Sequence, residues 1–219
     1  MKKSKFCTAI SIPKNKGVAA YAKRWEPGQV LRVGFVGGSE KLQRRVVKTM
    51  EQWNEVGANI KLAYSDLPLT EIRVGFTRNY QSWSYVGKDC LDYPEQTMNL
   101  GWLYEKTGEE EFNRVVLHEF GHALGLEHEH QNPNVNFRWN KPYIYDYYMK
   151  NMGWGRDYVD HNIFNKVDTP DTLATNFDAE SIMLYSFPIE FTLDGFSIPW
   201  ENSKISEGDK AILRLLYPF

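Results

Sequence analysis

The chain has 219 residues, of which 42% are hydrophobic and 15% aromatic, and its formal net charge is −2. This length and composition predict a folded protein with one large domain or two small lobes. Charges of both signs are mixed along the chain, which does not favour nucleic acid or an anionic membrane as a partner. No stretch reaches the roughly 18 apolar residues that a membrane-spanning helix needs.

The N-terminal part of the chain differs from the rest. Residues 1–24 lack a clear hydrophobic period and are rich in lysine and small residues. We interpret them as an extension or short prosegment that precedes a domain over residues 25–219. A basic start and an apolar stretch from Phe6 to Ile12 resemble an export signal, but Pro13 ends that stretch too early. Removal of an export signal, another route of export and retention inside the cell all stay open.

The next segment predicts a strand, a helix and two further strands. Residues 30–36 alternate as a strand does and end at a glycine pair. Ser39 is the expected N-cap of a helix that runs to Val56. Residues 60–64 and 71–76 predict the two further strands. This order favours a twisted, mostly parallel sheet packed against the helix.

A second helix is expected after a loop and a short strand. Residues 82–94 are rich in aromatics and predict a loop. Thr97 to Trp102 predict a strand at the edge of the sheet. Thr107 and Glu110 have the spacing of a capping box, which predicts that Thr107 starts the second helix. Further helices are expected over residues 142–152 and after Ser206.

Four of the five histidines lie between His118 and His130. Histidine is the commonest neutral metal ligand, so this concentration indicates a metal site. On a helix, His118 and His122 lie one turn apart with about 6 Å between their Cβ atoms, close enough to share one ion. Glu119 lies beside the metal and is the candidate base acting on water.

The third histidine depends on Gly125. In a continued helix, His128 would lie about 9 Å beyond His122 along the axis and on another face. Glycine readily adopts the left-handed conformation that ends helices, so the chain can turn back at Gly125 and return His128 to the metal. Three protein ligands and one open position are typical of catalytic zinc, whereas structural zinc usually has four.

These residues resemble the signature of the metzincin zinc peptidases, in the pattern His118-Glu119-x-x-His122-x-x-Gly125-x-x-His128. Glu129 resembles the astacin branch of that clan. Residues 181–185 are similar to the astacin Met-turn, with Leu184 where that family commonly has histidine. The chain departs from astacins proper over residues 130–134.

The resemblance implies an α+β fold. Its twisted, mostly parallel N-terminal sheet is accompanied by two long helices, of which the second carries the zinc motif. A smaller, mostly irregular or helical C-terminal lobe follows. The N-terminal lobe would span residues 25–125 and the C-terminal lobe residues 126–219, with a cleft between them.

The resemblance also implies the roles of the site residues. One Zn²⁺ would be bound by His118, His122 and His128, and the catalytic residues would be Glu119 and Tyr185. Tyr185 would stabilise the oxyanion, although a structural role for this tyrosine stays open. Met183 would form an apolar floor beneath the histidines, and Glu129 would support the site. His130 competes as third ligand but lies outside the spacing of the signature.

The predicted function is that of a zinc-dependent endopeptidase acting on protein or peptide substrates. The substrate would lie extended along the edge strand near Met98 to Trp102, although an ordinary sheet edge stays open. Its pockets, apolar or aromatic, would be lined by residues 79–96 and 186–200. The resemblance favours a secreted, extracellular enzyme, and we expect a monomer. The alternatives are a latent or pseudo-peptidase that acts by binding, and a toxin or effector protease of narrow specificity.

Cys7 and Cys90 are the two cysteines. Three interpretations stay open: two free thiols, a disulfide between the extension and the loop of Cys90, and a Cys7 thiolate at the open position of the zinc. In the third interpretation, removal of the extension would release the enzyme.

Overall fold

The computed structural model describes residues 6–10 by their backbone and residues 21–67, 69–79, 81–167, 173–198 and 202–219 in full. Most of the predicted extension, residues 1–5 and 11–20, lies outside this part of the chain. The strands are β1 (Phe6–Ile10), β2 (Val30–Val36), β3 (Lys61–Tyr64), β4 (Ile72–Gly75), β5 (Gln81–Tyr85) and β6 (Met98–Leu100). The α-helices are α1 (Glu40–Met50), α2 (Glu109–Ala123), α3 (Lys141–Met152), α4 (Arg156–Val159) and α5 (Glu207–Leu216). No described helix has both the length and the apolar character needed to cross a membrane.

The six strands form one sheet in the order β1-β5-β6-β4-β2-β3. Four of the neighbouring pairs are parallel, and β5 runs antiparallel to β6. In β2, Leu31 and Val33 are fully buried while Arg32 between them is exposed, as expected of a strand with one face on the core. The predicted α+β fold with a mostly parallel sheet is confirmed.

The prediction that residues 97–102 form an edge strand is wrong. Met98 pairs with Val74 of β4 on one side and with Ser84 of β5 on the other, so β6 lies inside the sheet. The missed element is β5, which lies within the segment predicted to be a loop. Its alternating sequence, Gln81-Ser82-Trp83-Ser84-Tyr85, has the period of a strand. Among the described strands, β1 and β3 form the two edges.

The start of α1 agrees with the prediction. The backbone N–H of Leu42 donates to Ser39 Oγ over 3.3 Å, so Ser39 is the N-cap. The α-helix ends at Met50 and continues as the 3₁₀ turn Glu51–Glu55. The predicted end near Val56 therefore marks the end of this tighter turn.

The capping box predicted for α2 is wrong. Gly108 is the N-cap and makes no side-chain cap bond. Thr107 Oγ1 instead accepts a hydrogen bond from the backbone N–H of Tyr104 over 3.0 Å, which closes the preceding turn. Three glutamates, residues 109–111, occupy the first turn of α2. Their negative charges stabilise the positive end of the helix dipole in place of a cap.

Two apolar clusters fill the interior. The larger lies between the sheet, α1, α2 and α5, and it includes Trp25, Trp53 and Met183. The smaller gathers apolar side chains of α3, α4 and residues 184–198. Tyr185 packs against both clusters and so lies where they meet.

The start of α5 is tied to the segment that contains Met183. Ser206 and Asp209 form a reciprocal capping box, which confirms Ser206 as the cap. Asp209 also accepts hydrogen bonds from the Ser181 hydroxyl over 2.6 Å and from the Ile182 N–H over 2.8 Å. Burial raises the pKa of Asp209, and these bonds oppose that shift. One carboxylate thus holds both the helix and the Met183 segment.

Asp209→Ala should therefore lower the free energy of unfolding by about 2–4 kcal/mol, because buried donors lose a charged acceptor. Chemical denaturation would measure this change. Glu207→Ala is the matched control, since Glu207 lies in the same first turn but is exposed and pairs with Lys210. We expect a much smaller loss for the control. Equal losses for the two variants would contradict the role of Asp209.

Candidate metal centre

Helix α2 carries three of the predicted site residues. His118, Glu119 and His122 are each at most 2% exposed, although histidine and glutamate are polar. Gly121 lies between them on the helix, and a Cβ there would come within 2.3 Å of Met183 Sδ. The absence of a side chain at Gly121 therefore lets the buried Met183 pack directly against α2.

The helix ends as the sequence predicts. Gly125 has φ of +96°, in the left-handed region. Its N–H donates to His122 O over 2.8 Å, and the N–H of Leu126 donates to Gly121 O over 3.0 Å. This pair of bonds is a Schellman motif, which reverses the chain after the last helical turn.

The reversal brings the third histidine to the first two. The metal-ligating atoms of His118, His122 and His128 all lie within 4.8 Å of one another, and all three residues are buried. His122 Nε2 and His128 Nε2 are 3.2 Å apart. Among the described residues, these three form the group of side chains that can hold a metal ion.

Backbone carbonyl groups orient two of the rings. His118 Nδ1 lies 2.8 Å from Ile182 O, and His122 Nδ1 lies 2.7 Å from Leu126 O. Because a carbonyl oxygen only accepts, we assign the proton of each ring to Nδ1, which leaves the Nε2 lone pair for a ligand. His118 Nε2 is buried and has no hydrogen-bond partner. This unpaired nitrogen and the three-nitrogen donor set fit a zinc ion.

Burial also favours the neutral form of these histidines. It lowers the pKa of His122 to about 4 and those of His118 and His128 well below the usual value, with neighbouring histidines adding to the shift in the latter two. Neutral imidazole is the form that binds a metal. The three rings therefore need no deprotonation step near neutral pH.

The rings of Tyr185 and His130 pack against the ring of the third histidine, His128. The ring centroid of Tyr185 is 4.2 Å from that of His128 and 5.0 Å from that of His130. His130 Nε2 donates to Asn162 O over 2.9 Å, and the residue is 3% exposed. The structure thus places His130 beside His128 and outside the group of three. His130 is thus a buried neighbour of the group of three.

Glu129 connects the histidine segment to the Met183 segment. Its N–H donates to Met183 O over 3.1 Å, and its Oε1 accepts from Asn132 Nδ2 and from the Asp178 N–H, each over 3.0 Å. Burial raises the pKa of Glu129 to about 7, which these donors oppose. These contacts are those of a supporting residue.

A cavity of about 160 Å³ opens beside His118 and Tyr185. The sequence predicts pocket walls in residues 79–96 and 186–200, and the second range contributes to this cavity. None of the described residues within 79–96 lines this cavity. The larger part of its aromatic wall comes from α3 and the turn after it, through Tyr147, Tyr148 and Trp154, and Met152 adds an apolar contact. The sequence signal for this wall was the set of tyrosines in the helix predicted over residues 142–152, namely Tyr143, Tyr147 and Tyr148.

Cys90 is a buried free thiol, and burial raises its pKa to about 12. A thiol with this pKa stays protonated near neutral pH and is a poor nucleophile. The side chain of Cys7 lies outside the described part of the chain. The three interpretations of Cys7 and Cys90 therefore stay predictions.

Known proteins are similar to this chain in sequence and in fold. The model of the Astacin peptidase family matches residues 17–196. A solved structure of myroilysin has a TM-score of 0.88 and 38% identity, and covers 92% of this chain and 98% of that one. High choriolytic enzyme 1, a hatching-enzyme zinc protease from the medaka fish Oryzias latipes, has a TM-score of 0.60. Its identity is 18%, with coverage of 90% of this chain and 96% of that one, which supports the fold alone.

Two curated relatives are zinc metalloproteinases. Dpy-31 of Teladorsagia circumcincta is 28% identical over 58% of this chain and 20% of its own length. Nas-39 of Caenorhabditis elegans is 31% identical over 47% of this chain and 9% of its own length. The chain thus spans a fifth or less of these relatives. Because the family model covers most of the sequence, the chain belongs to the astacin family of metallopeptidases.

Proposed function

We propose that the chain is a zinc-dependent endopeptidase that hydrolyses peptide bonds in proteins or peptides. The observation that carries this proposal is the buried group of three histidines, whose ligating atoms lie within 4.8 Å of one another. The family membership supports it, because the family is one of peptidases. Secretion and a monomeric state are part of this proposal and follow from the resemblance and the size of the chain.

The mechanism assigns one task to each side chain. His118, His122 and His128 would hold Zn²⁺, which supplies Lewis acidity toward the scissile carbonyl group and toward water. Glu119 accepts a proton from the attacking water and delivers it to the leaving amine. The Tyr185 hydroxyl donates a hydrogen bond to the developing oxyanion. The carbonyl oxygens of Ile182 and Leu126 keep the first two rings in the ligating orientation.

The cavity beside His118 suggests the kind of side chain that the substrate presents. Tyr147, Tyr148 and Phe191 give it an aromatic wall, while Arg114 and Ser186 add polar groups. We propose that it receives an apolar or aromatic side chain next to the scissile bond, since such a wall favours apolar contact.

The position of β1 favours a second candidate, a latent form of the same peptidase. β1 pairs in parallel with β5, from Phe6 opposite Gln81 to Ile10 opposite Tyr85. Because β6 is interior, β5 would be the edge strand on this side of the sheet if β1 were absent. An extended substrate would pair with that edge, but β1 occupies it. We propose that β1 blocks substrate pairing until the part of the extension before Tyr21 is removed. The Cys7 plug and a narrow-specificity toxin or effector remain predictions.

Zinc analysis and cleavage assays with two forms of the protein would test both candidates. Full-length protein and a form beginning at residue 21 would be analysed for zinc and incubated with a peptide library. We expect one zinc per chain in both forms and cleavage that a chelator abolishes and zinc restores. If latency holds, the shorter form should cleave about tenfold faster or more, because its binding-competent fraction rises.

Each result has a defined meaning. Absence of both zinc and cleavage would contradict the endopeptidase proposal. Zinc binding without cleavage by either form would favour a pseudo-peptidase. Equal rates for the two forms would contradict latency while leaving the endopeptidase proposal intact.

A further inference from the structure

A buried lysine near the end of the N-terminal extension contacts the segment that carries the third histidine. Lys23 is 5% exposed, although lysine is among the residues least often buried. Its Nζ lies 2.8 Å from Asp89 Oδ2 and 3.9 Å from Glu127 Oε1. The side chains of Asp89 and Glu127 are 16% and 7% exposed. A cation so enclosed is stable only with such partners.

The backbone fixes the position of Lys23 as well. Lys23 ends the 3₁₀ turn Tyr21–Lys23, and Asp89 belongs to the 3₁₀ turn Gly87–Asp92. A Cβ at Gly87 would lie 2.1 Å from Lys23 O, and Gly87 has φ of +52°. Glycine is therefore required for this close approach of the two turns. The indole N–H of Trp25 donates to Ala123 O over 2.8 Å, which ties the same stretch to the end of α2.

Glu127 lies between two residues that determine the geometry of the metal centre. Leu126 O accepts the hydrogen bond that orients His122, and His128 supplies the third nitrogen. The three residues are consecutive, so a shift of Glu127 displaces both neighbours. Removal of the ammonium group would leave the buried side chains of Glu127 and Asp89 without the group that bridges them. Residues 126–128 would then lose their tie to the turns that contain Lys23 and Asp89.

We propose that Lys23 is a positioning residue of the metal centre. Its ammonium group, held between Asp89 and Glu127, keeps residues 126–128 in the conformation that turns His128 toward His118 and His122. This inference rests on the proposed function, because it assumes that the three histidines bind zinc. It also implies that residues 21–23 are kept in the active enzyme, even if the residues before them are removed.

Zinc affinity of the full-length protein, measured by competition with a chelator, tests this role without relying on activity. Lys23→Met keeps much of the side-chain volume and removes the charge. We expect its zinc dissociation constant to rise about 10- to 100-fold, as for other groups that orient metal ligands. Lys88→Met is the matched control, because Lys88 lies in the same turn as Asp89 and makes an exposed ion pair with Glu26 over 3.8 Å. Its zinc affinity should match the wild type.

A double variant separates positioning from general stability. Lys23→Met combined with Glu127→Gln should lose no more zinc affinity than Lys23→Met alone, because both substitutions remove the same contact. A folded Lys23→Met protein with wild-type zinc affinity would overturn the inference, even if its unfolding temperature fell. Should Lys23→Met fail to fold, Glu127→Gln alone decides: it should bind zinc several-fold more weakly, and unchanged affinity would overturn the inference. If the wild type binds no zinc, the proposed function fails instead.

Discussion

Replacement of Glu119 by glutamine should reduce kcat/KM for peptide cleavage by about 10²- to 10⁴-fold, the usual contribution of a general base. The zinc content should stay at one ion per chain, because the three histidine nitrogens are unchanged. Glu119 is fully buried on α2, between His118 and His122 in the helix. Glutamine has the same shape but does not accept a proton from water. Steady-state kinetics and zinc analysis of the same preparation would measure both effects.

Glu110→Gln is the matched control for this prediction. Glu110 lies on the same helix, but it is exposed and far from the histidines in its first turn. The control should keep wild-type kcat/KM. Undiminished cleavage by Glu119→Gln would remove Glu119 from the mechanism. Loss of zinc together with activity would instead assign Glu119 a structural role.

The features that the sequence predicts correctly are those that local geometry determines. The spacing of His118 and His122 places both on one helical face, and the conformational freedom of Gly125 allows the Schellman turn that returns His128. Each of these inferences involves a stretch of a few residues. The Ser39 and Ser206 caps were predictable for the same reason.

The errors arose where long-range pairing or competing contacts decide. Whether residues 97–102 lie at an edge depends on the order of the strands in the sheet. They do not, because β5 pairs with β6 on the side that was expected to be open. Thr107 has the sequence of a cap, but its hydroxyl is engaged by Tyr104. The burial of Lys23 depends on Asp89 and Glu127, which lie 66 and 104 residues further along the chain. No local pattern encodes such a contact.

Phenylalanine in place of His128 should weaken zinc binding by about 100-fold or more, because one of three protein ligands is lost and each contributes several kcal/mol. The same substitution at His130 should leave zinc affinity within about threefold of the wild type, since His130 Nε2 is occupied by Asn162 O and not by the metal group. Phenylalanine preserves ring contacts at both positions, which include those with Tyr185. Chelator competition would measure both affinities.

This pair of variants tests the turn at Gly125 as well as the ligand set. His128 reaches the metal group only because the chain reverses at Gly125, whereas His130 lies two residues further on and stacks behind it, with the ring centroids 5.3 Å apart. A larger loss of zinc affinity in the His130 variant would mean that residues 128–130 shift when the metal binds. The turn at Gly125 would then not determine which histidine is the third ligand. Comparable losses in both would show that the stacked rings act as one unit, with His130 holding His128 in place.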